Sequence, residues 1–256
     1  MQLKNKEINF SEIKIEFIIP LFAGVLCSLF LCVLAGNLSI FKKTPEEPVF
    51  SESVEERFES LFLQNKDTKD TKDIILECFS NSEYRDWVVN FFTEICSDIN
   101  VSQAILDNCE KFEVSPALAF ALCWEESKFN AQAINRHNRD GSIDRGLFQL
   151  NSRSFPNLET IAFFDINTNA YYGISHLRYC LDTGGNDVSA LAMYNAGTGR
   201  VKSVGAPAVT LNYISRILNN KSRIESLFYS RLIEEEERRM EERAERASQF
   251  LFSRTL

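Results

Sequence analysis

The sequence predicts a mainly α-helical fold, with a central helical domain between an N-terminal membrane helix and a C-terminal charged helix. Three observations carry this prediction. Apolar residues recur at helical spacing from residue 53 onward, Ser115-Pro116 opens an all-apolar stretch, and Glu234 to Arg246 repeats acid and base at i, i+4 spacing. The 256 residues, 45% hydrophobic and 25% charged, suffice for one good core and exclude a wholly disordered chain. With 28 Lys and Arg against 36 Asp and Glu the net charge is -8, and no basic stripe stands out to neutralise a phosphate backbone. No nucleic acid is expected as a partner. The two histidines lie far apart and the seven cysteines show no CxxC spacing, so neither a metal site nor a cofactor is expected.

Residues 1–16 form a tail that mixes Lys4, Lys6 and Lys14 with Glu7, Glu12 and Glu16. Residues 17–36, FIIPLFAGVLCSLFLCVLAG, carry no charge and have about the length that spans a bilayer core as a helix. The mixed charge of the tail favours a retained membrane anchor, while Val33-Leu34-Ala35 leaves a cleaved signal open. Residues 37–51, with Pro45 and Pro48, read as a linker. Over 52–100 the positions Phe58, Leu61, Phe62, then Ile74, Ile75, Phe79, then Trp87, Val88, Phe91, Phe92, Ile95 predict three accessory helices. Cys78, Cys96, Cys109, Cys123 and Cys180 are odd in number and several adjoin large apolar residues, which favours buried thiols over disulfides.

A helix from Ser102 with the stripe Ile105, Leu106, Cys109, Phe112 leads to Ser115-Pro116, an N-cap followed by a proline at the first helical position. The next helix, PALAFALCW, is apolar on every face and belongs in the middle of a core. It ends in Glu125-Glu126. Adjacent helical residues point about 100° apart, so if one carboxylate faces water the other faces inward at the edge of a greasy wall. Lost hydration raises the pKa of such a carboxyl and lets it hold a proton for delivery as a general acid. A solvated helix-end pair is the alternative on this feature alone.

Four further patterns follow in order: Glu126-Ser127-Lys128-Phe129, Gly146-Leu147-Phe148-Gln149, Ala192-Met193-Tyr194-Asn195-Ala196-Gly197 and Tyr213-Ile214. Together they resemble the SLT-type lytic transglycosylases, a family with an α+β lysozyme-like fold. The resemblance covers residues 101–218 and implies the peptidoglycan glycan strand as substrate, cleaved between N-acetylmuramic acid and N-acetylglucosamine. It also implies roles. Glu126 matches the catalytic glutamate, and Gln149, Tyr194, Asn195 and Tyr213 match substrate-contacting positions. Asn135 stands where many members have a serine near the carboxylate, and Phe148 replaces a methionine, as an apolar wall or equally as plain core. Asn169, Gly173 and Leu177 resemble the family's connecting helix. The loop NRDGSIDRGLFQLN, residues 138–151, looks more like the smaller members that accompany envelope-spanning secretion machines.

By resemblance, Glu126 acts as acid and then as base, closing a 1,6-anhydro ring on the muramic sugar. Most glycoside hydrolases need a second carboxylate; here Asp140 and Asp144 lie in the following loop and keep a lysozyme-like hydrolase open. The loop is not a calcium loop, because Arg136 and Leu147 occupy the first and twelfth ligand positions when Gly141 is the sixth. His137 reads as a surface residue and His176 as structural. Residues 219–256 read as a charged C-terminal helix, solvated over Glu234 to Arg246, with the pairs Glu234–Arg238, Glu235–Arg239 and Glu242–Arg246. The expectation is a membrane-anchored, periplasmic enzyme of the bacterial wall, with an envelope-machinery protein as a possible partner. The rival is a glycan-binding scaffold with idle catalysis.

Overall fold

The computed structural model of the chain describes residues 73–253, all within one compact unit, Val54–Leu256. The expected tail, membrane anchor, linker and first accessory helix lie outside the described residues. Among the latter, no helix is long and apolar enough to cross a membrane.

Helix α1, Ile74–Ser80, starts at Asp73, whose Oδ1 accepts from the Ile75 and Leu76 N–H groups at 2.9 and 3.2 Å. Helix α2, Arg85–Cys96, ends on left-handed Ser97. Asp98 caps α3, Ile99–Phe112, by accepting from the Asn100 and Val101 N–H groups. Such caps satisfy donors that the first helical turn leaves unpaired.

Helix α4, Pro116–Ser127, has Pro116 at its first position as expected, but Ser115 makes no side-chain cap hydrogen bond and its hydroxyl is buried without a partner. Ala117 to Cys123 are almost wholly buried, at 0–1% exposure, so α4 is the central rod of the core. The five cysteines of the described region are buried free thiols, as their neighbours predicted.

After α4 comes a small antiparallel sheet of three two-residue strands: β1 (Ile134–Asn135), β2 (Asp144–Arg145) and β3 (Leu150–Asn151). Its register pairs Asn135 with Asp144 and Asp144 with Asn151, which puts two amides and a carboxylate in one row. A 3-10 turn, Thr160–Phe164, leads into α5 (Ile166–Gly184), α6 (Asp187–Ala196), α7 (Thr198–Val204) and α8 (Ala208–Ser253). The fold of the described residues is mainly α with a small antiparallel sheet, as the sequence predicts.

Helix α8 is one continuous 46-residue helix. The boundary expected at residue 218 falls inside this helix, and within the run from Glu234 to Arg246, expected to be solvated, Glu235 is buried. Phe228, Leu232 and Glu235 are 0%, 4% and 7% exposed and follow one another at i, i+4 and i, i+3. Phe228 meets Phe91 of α2 at 5.1 Å between ring centres, and Phe92 of α2 stacks on Phe120 of α4 at 4.1 Å. The described parts of the accessory, central and C-terminal segments therefore share one core. The charges follow that packing: Glu235 binds Arg239 at 2.6 Å, Glu242 binds Arg246 at 3.6 Å, and Arg238 pairs with Glu235 and Glu242 rather than with Glu234.

Candidate active site

The two glutamates at the end of α4 diverge, as the 100° step requires. Glu125 turns to α8, where Arg216 Nε and Nη2 donate to its Oε1 at 2.8 and 2.5 Å, and Lys128 Nζ lies 3.7 Å from Oε2. Glu126 turns into the molecule. It keeps part of its surface open to a cleft, while protein atoms crowd the carboxyl group. Lys128 and Phe129, both in left-handed backbone, fold the chain back immediately after α4. Phe129 packs on Phe120 and Trp124, which holds that turn in place.

Burial pushes the Glu126 carboxyl up to about 7, and the nearby negative charges of Asp144 and Glu125 act in the same direction. One contact opposes them. Tyr213 Oη of α8 donates to Glu126 Oε1 at 2.5 Å, a bond that favours the carboxylate. Burial, followed by the charge of Glu126, holds the phenols of Tyr194 and Tyr213 well above the usual range, so both stay protonated and serve as donors. Tyr194 Oη donates to the Phe148 carbonyl at 3.0 Å.

The cleft beside Glu126 has a volume of about 480 Å³. One wall comes from the sheet and its loops: Asn138, Asp140, Asp144, Gln149, Asn151, Arg153 and Ser154. The other comes from α5, α6 and the start of α7: His176 and Tyr194 to Thr198. Asn195 is fixed by Thr210 Oγ1, which donates to its Oδ1 at 2.8 Å. Gln149, in left-handed backbone, donates from Nε2 to the Ala133 and Gly146 carbonyls at 3.3 and 2.9 Å. Backbone strain of this kind persists where surrounding structure over-determines it, and it clusters at functional sites.

Two glycines set the wall against the helices. Gly146 has φ +77, and a Cβ there would fall 2.2 Å from Asn169 Nδ2 and from the Phe163 carbonyl oxygen. A Cβ on Gly173 of α5 would fall 2.3 Å from Phe148 Cγ. Between them Asn169, 1% exposed, acts as a bracket. Its Oδ1 accepts from the Phe148 N–H at 2.8 Å, and its Nδ2 donates to the Arg145 and Phe163 carbonyls at 3.0 and 2.7 Å.

Residues 103–214 match the family model of the transglycosylase SLT domain. That stretch of the chain is similar to an SLT domain. Invasion protein IagB of Salmonella typhimurium strain SL1344 is 29% identical over 122 residues, which cover 45% of this chain and 73% of that protein. IagB of Salmonella typhi matches at the same identity and coverage. Among solved structures, an inactive mutant of the lytic transglycosylase Slt from Pseudomonas aeruginosa matches with a TM-score of 0.41 and 21% identity over 50% of this chain. This chain covers only 24% of that enzyme's length.

Within this SLT-like stretch the expected residues separate by position. Glu126, Gln149, Tyr194 and Asn195 line the cleft. Tyr213 is 7% exposed and meets Glu126 from behind rather than facing open cleft. Of the two readings of Phe148, the structure favours core over a wall for substrate: it is fully buried against Gly173 and reaches the site through its carbonyl. Asn135 serves Asp144 rather than Glu126, because the strand register sets Asn135 opposite Asp144 and its Nδ2 donates to Asp144 Oδ2 at 3.0 Å. Asn138 and Asn151 complete the hold on Asp144 at 2.8 and 2.7 Å. Sequence reasoning missed Asn138, Asn151, Arg153 and Thr198, and assigned His176 a purely structural role. For the sheet residues the only signal was their spacing around the loop, which two-residue strands cannot display as an alternating pattern.

Proposed function

We propose that this chain is a peptidoglycan lytic transglycosylase that cleaves the β-1,4 bond between N-acetylmuramic acid and N-acetylglucosamine and leaves a 1,6-anhydro-muramic end. The observation that carries this reading is Glu126: a crowded carboxyl held near neutral pKa at the edge of a cleft, with a phenol donating to one oxygen. Near neutral pH it is available in both forms, as an acid-then-base mechanism requires. Protonated Glu126 delivers its proton to the glycosidic oxygen, and the bond from that oxygen to the muramic anomeric carbon breaks. The N-acetyl carbonyl of the same sugar stabilises the cationic centre. Glu126, now a carboxylate whose charge Tyr213 bonds, takes the proton of the muramic 6-hydroxyl. That oxygen closes on the anomeric carbon and restores the acid. No metal or cofactor enters.

Asp144 supports a second reading. It lines the same cleft and supplies the other carboxylate that hydrolysis would need, although three amide groups already occupy its oxygens. Mass spectrometry of muropeptides released by the full chain separates the two: anhydro products, one water lighter, are expected, and reducing-end products would move the assignment to a hydrolase. In this reading the enzyme works in the periplasm, anchored to the inner membrane through residues 17–36 or released by cleavage, beside an envelope-machinery protein.

A further inference from the structure

His176 has an environment that a core histidine does not. It is half-buried, it lines the same cleft as Glu126, and among the described residues the one polar contact its ring nitrogens make is a long approach of 3.9 Å between Nε2 and Cys180 Sγ. Buried polar groups are otherwise almost always hydrogen-bonded, so this imidazole is left with capacity to spare where the cleft opens.

Its ring is also part of a row. The centre of the Tyr194 ring lies 5.0 Å away, inclined at 48°, and that of Tyr179 lies 6.0 Å away on a nearly parallel plane, at 17°. Phe155 supports the imidazole edge-on at 6.1 Å. Tyr194 lies within reach of the Glu126 charge, whereas Tyr179 is 51% exposed. Positions 176 and 179 are i, i+3 on α5 and so share one face of the helix. The row therefore runs from the neighbourhood of Glu126 outward to solvent. Burial lowers the imidazole pKa, so the ring stays neutral at neutral pH and presents apolar faces with a polar edge.

Resting on the glycan reading above, we infer that His176 and Tyr179, continuing from Tyr194, form a saccharide-binding platform on α5 that holds the glycan strand away from the scissile bond. A sugar ring offers an apolar face for stacking and a rim of hydroxyl and N-acetyl groups for hydrogen bonds. The cleft supplies both kinds of partner: this row of rings with Asn195 on the same wall, and on the opposite wall the side chains of Gln149 and Asn151. Ligand sites typically combine aromatic area with a few convergent polar groups in this way.

The test is isothermal titration of the full chain carrying Glu126→Gln with β-1,4-linked N-acetylglucosamine oligomers of three and six sugars. His176→Ala added to this parent is expected to weaken the hexamer roughly tenfold, the loss of about one good ring contact. Tyr179→Ala removes an exposed side chain and leaves the fold intact; it should weaken the hexamer severalfold and leave the trimer unchanged. His176→Phe, which keeps the ring, should retain most of the affinity. A parent that binds the hexamer, with both alanine variants binding it equally well, overturns the platform and leaves the glycan reading standing. A parent that binds neither oligomer nor purified peptidoglycan overturns that reading and the platform with it.

Discussion

Replacing Tyr213 with phenylalanine removes one hydroxyl and tests how the Glu126 proton is held. The hydroxyl donates to Oε1 at 2.5 Å and stabilises the carboxylate against the burial that destabilises it. A hydrogen bond to a charged group contributes about 1.5–3 kcal/mol, and one pKa unit corresponds to about 1.4 kcal/mol. Loss of the bond should thus raise the Glu126 pKa by about one to two units from its value of about 7. The sign is fixed by chemistry. In the proposed mechanism the reaction starts from protonated Glu126, so activity should fall as pH rises through its pKa, and the phenylalanine variant should carry that alkaline limb upward. The assay is the pH dependence of kcat/KM for muropeptide release by both proteins. An alkaline limb that stays in place or moves to lower pH would refute the reasoning, whatever happens to the absolute rate.

Glu125→Gln and Arg216→Gln break the same ion pair but should move that limb in opposite directions. The first removes a negative charge beside Glu126 and lowers its pKa, while the second uncovers that charge and raises it; a purely structural pair would give no opposed shifts. Stability should also depend on Glu126. Its folded pKa of about 7 lies above the ordinary 4.5, so its contribution is full below about pH 4.5 and is lost as pH rises through 7, about 3 kcal/mol at most. Glu126→Gln should therefore be more stable than the parent in guanidinium unfolding at pH 8 and lose that advantage at pH 4; an equal difference at both would contradict the burial. Asn169→Leu should cost at least about 3 kcal/mol, since it strands a buried N–H and two carbonyls. Gly173→Ala should cost about 1–3 kcal/mol by crowding Phe148, read as a lowered Tm.

Features with a local cause were legible in the sequence. Pro116 and the apolar run after it foretold a central helix, and the 100° step foretold that Glu125 and Glu126 part. Features with a tertiary cause were not. Phe148 is core because Gly173, twenty-five positions on, has no side chain to exclude it. Asn135 serves Asp144 because of a register between strands too short to show alternation. The i, i+4 charge pairs of the C-terminal segment suggested a solvated helix, yet the same segment carries the stripe Phe228, Leu232, Glu235 that packs it into the core. Glu235 hid that stripe by being a carboxylate in an apolar register, which Arg238 and Arg239 hold. His176 read as structural because two of its aromatic neighbours, Phe155 and Tyr194, come from other parts of the chain.

The central claim, that Glu126 hands the proton of the sugar's own 6-hydroxyl through the reaction in place of water, is tested most directly by cleavage in water enriched in oxygen-18. The full chain should release anhydro-muramic ends that carry no label, and Glu126→Gln should release none. Labelled reducing ends, or cleavage that survives the Glu126 substitution, would contradict it.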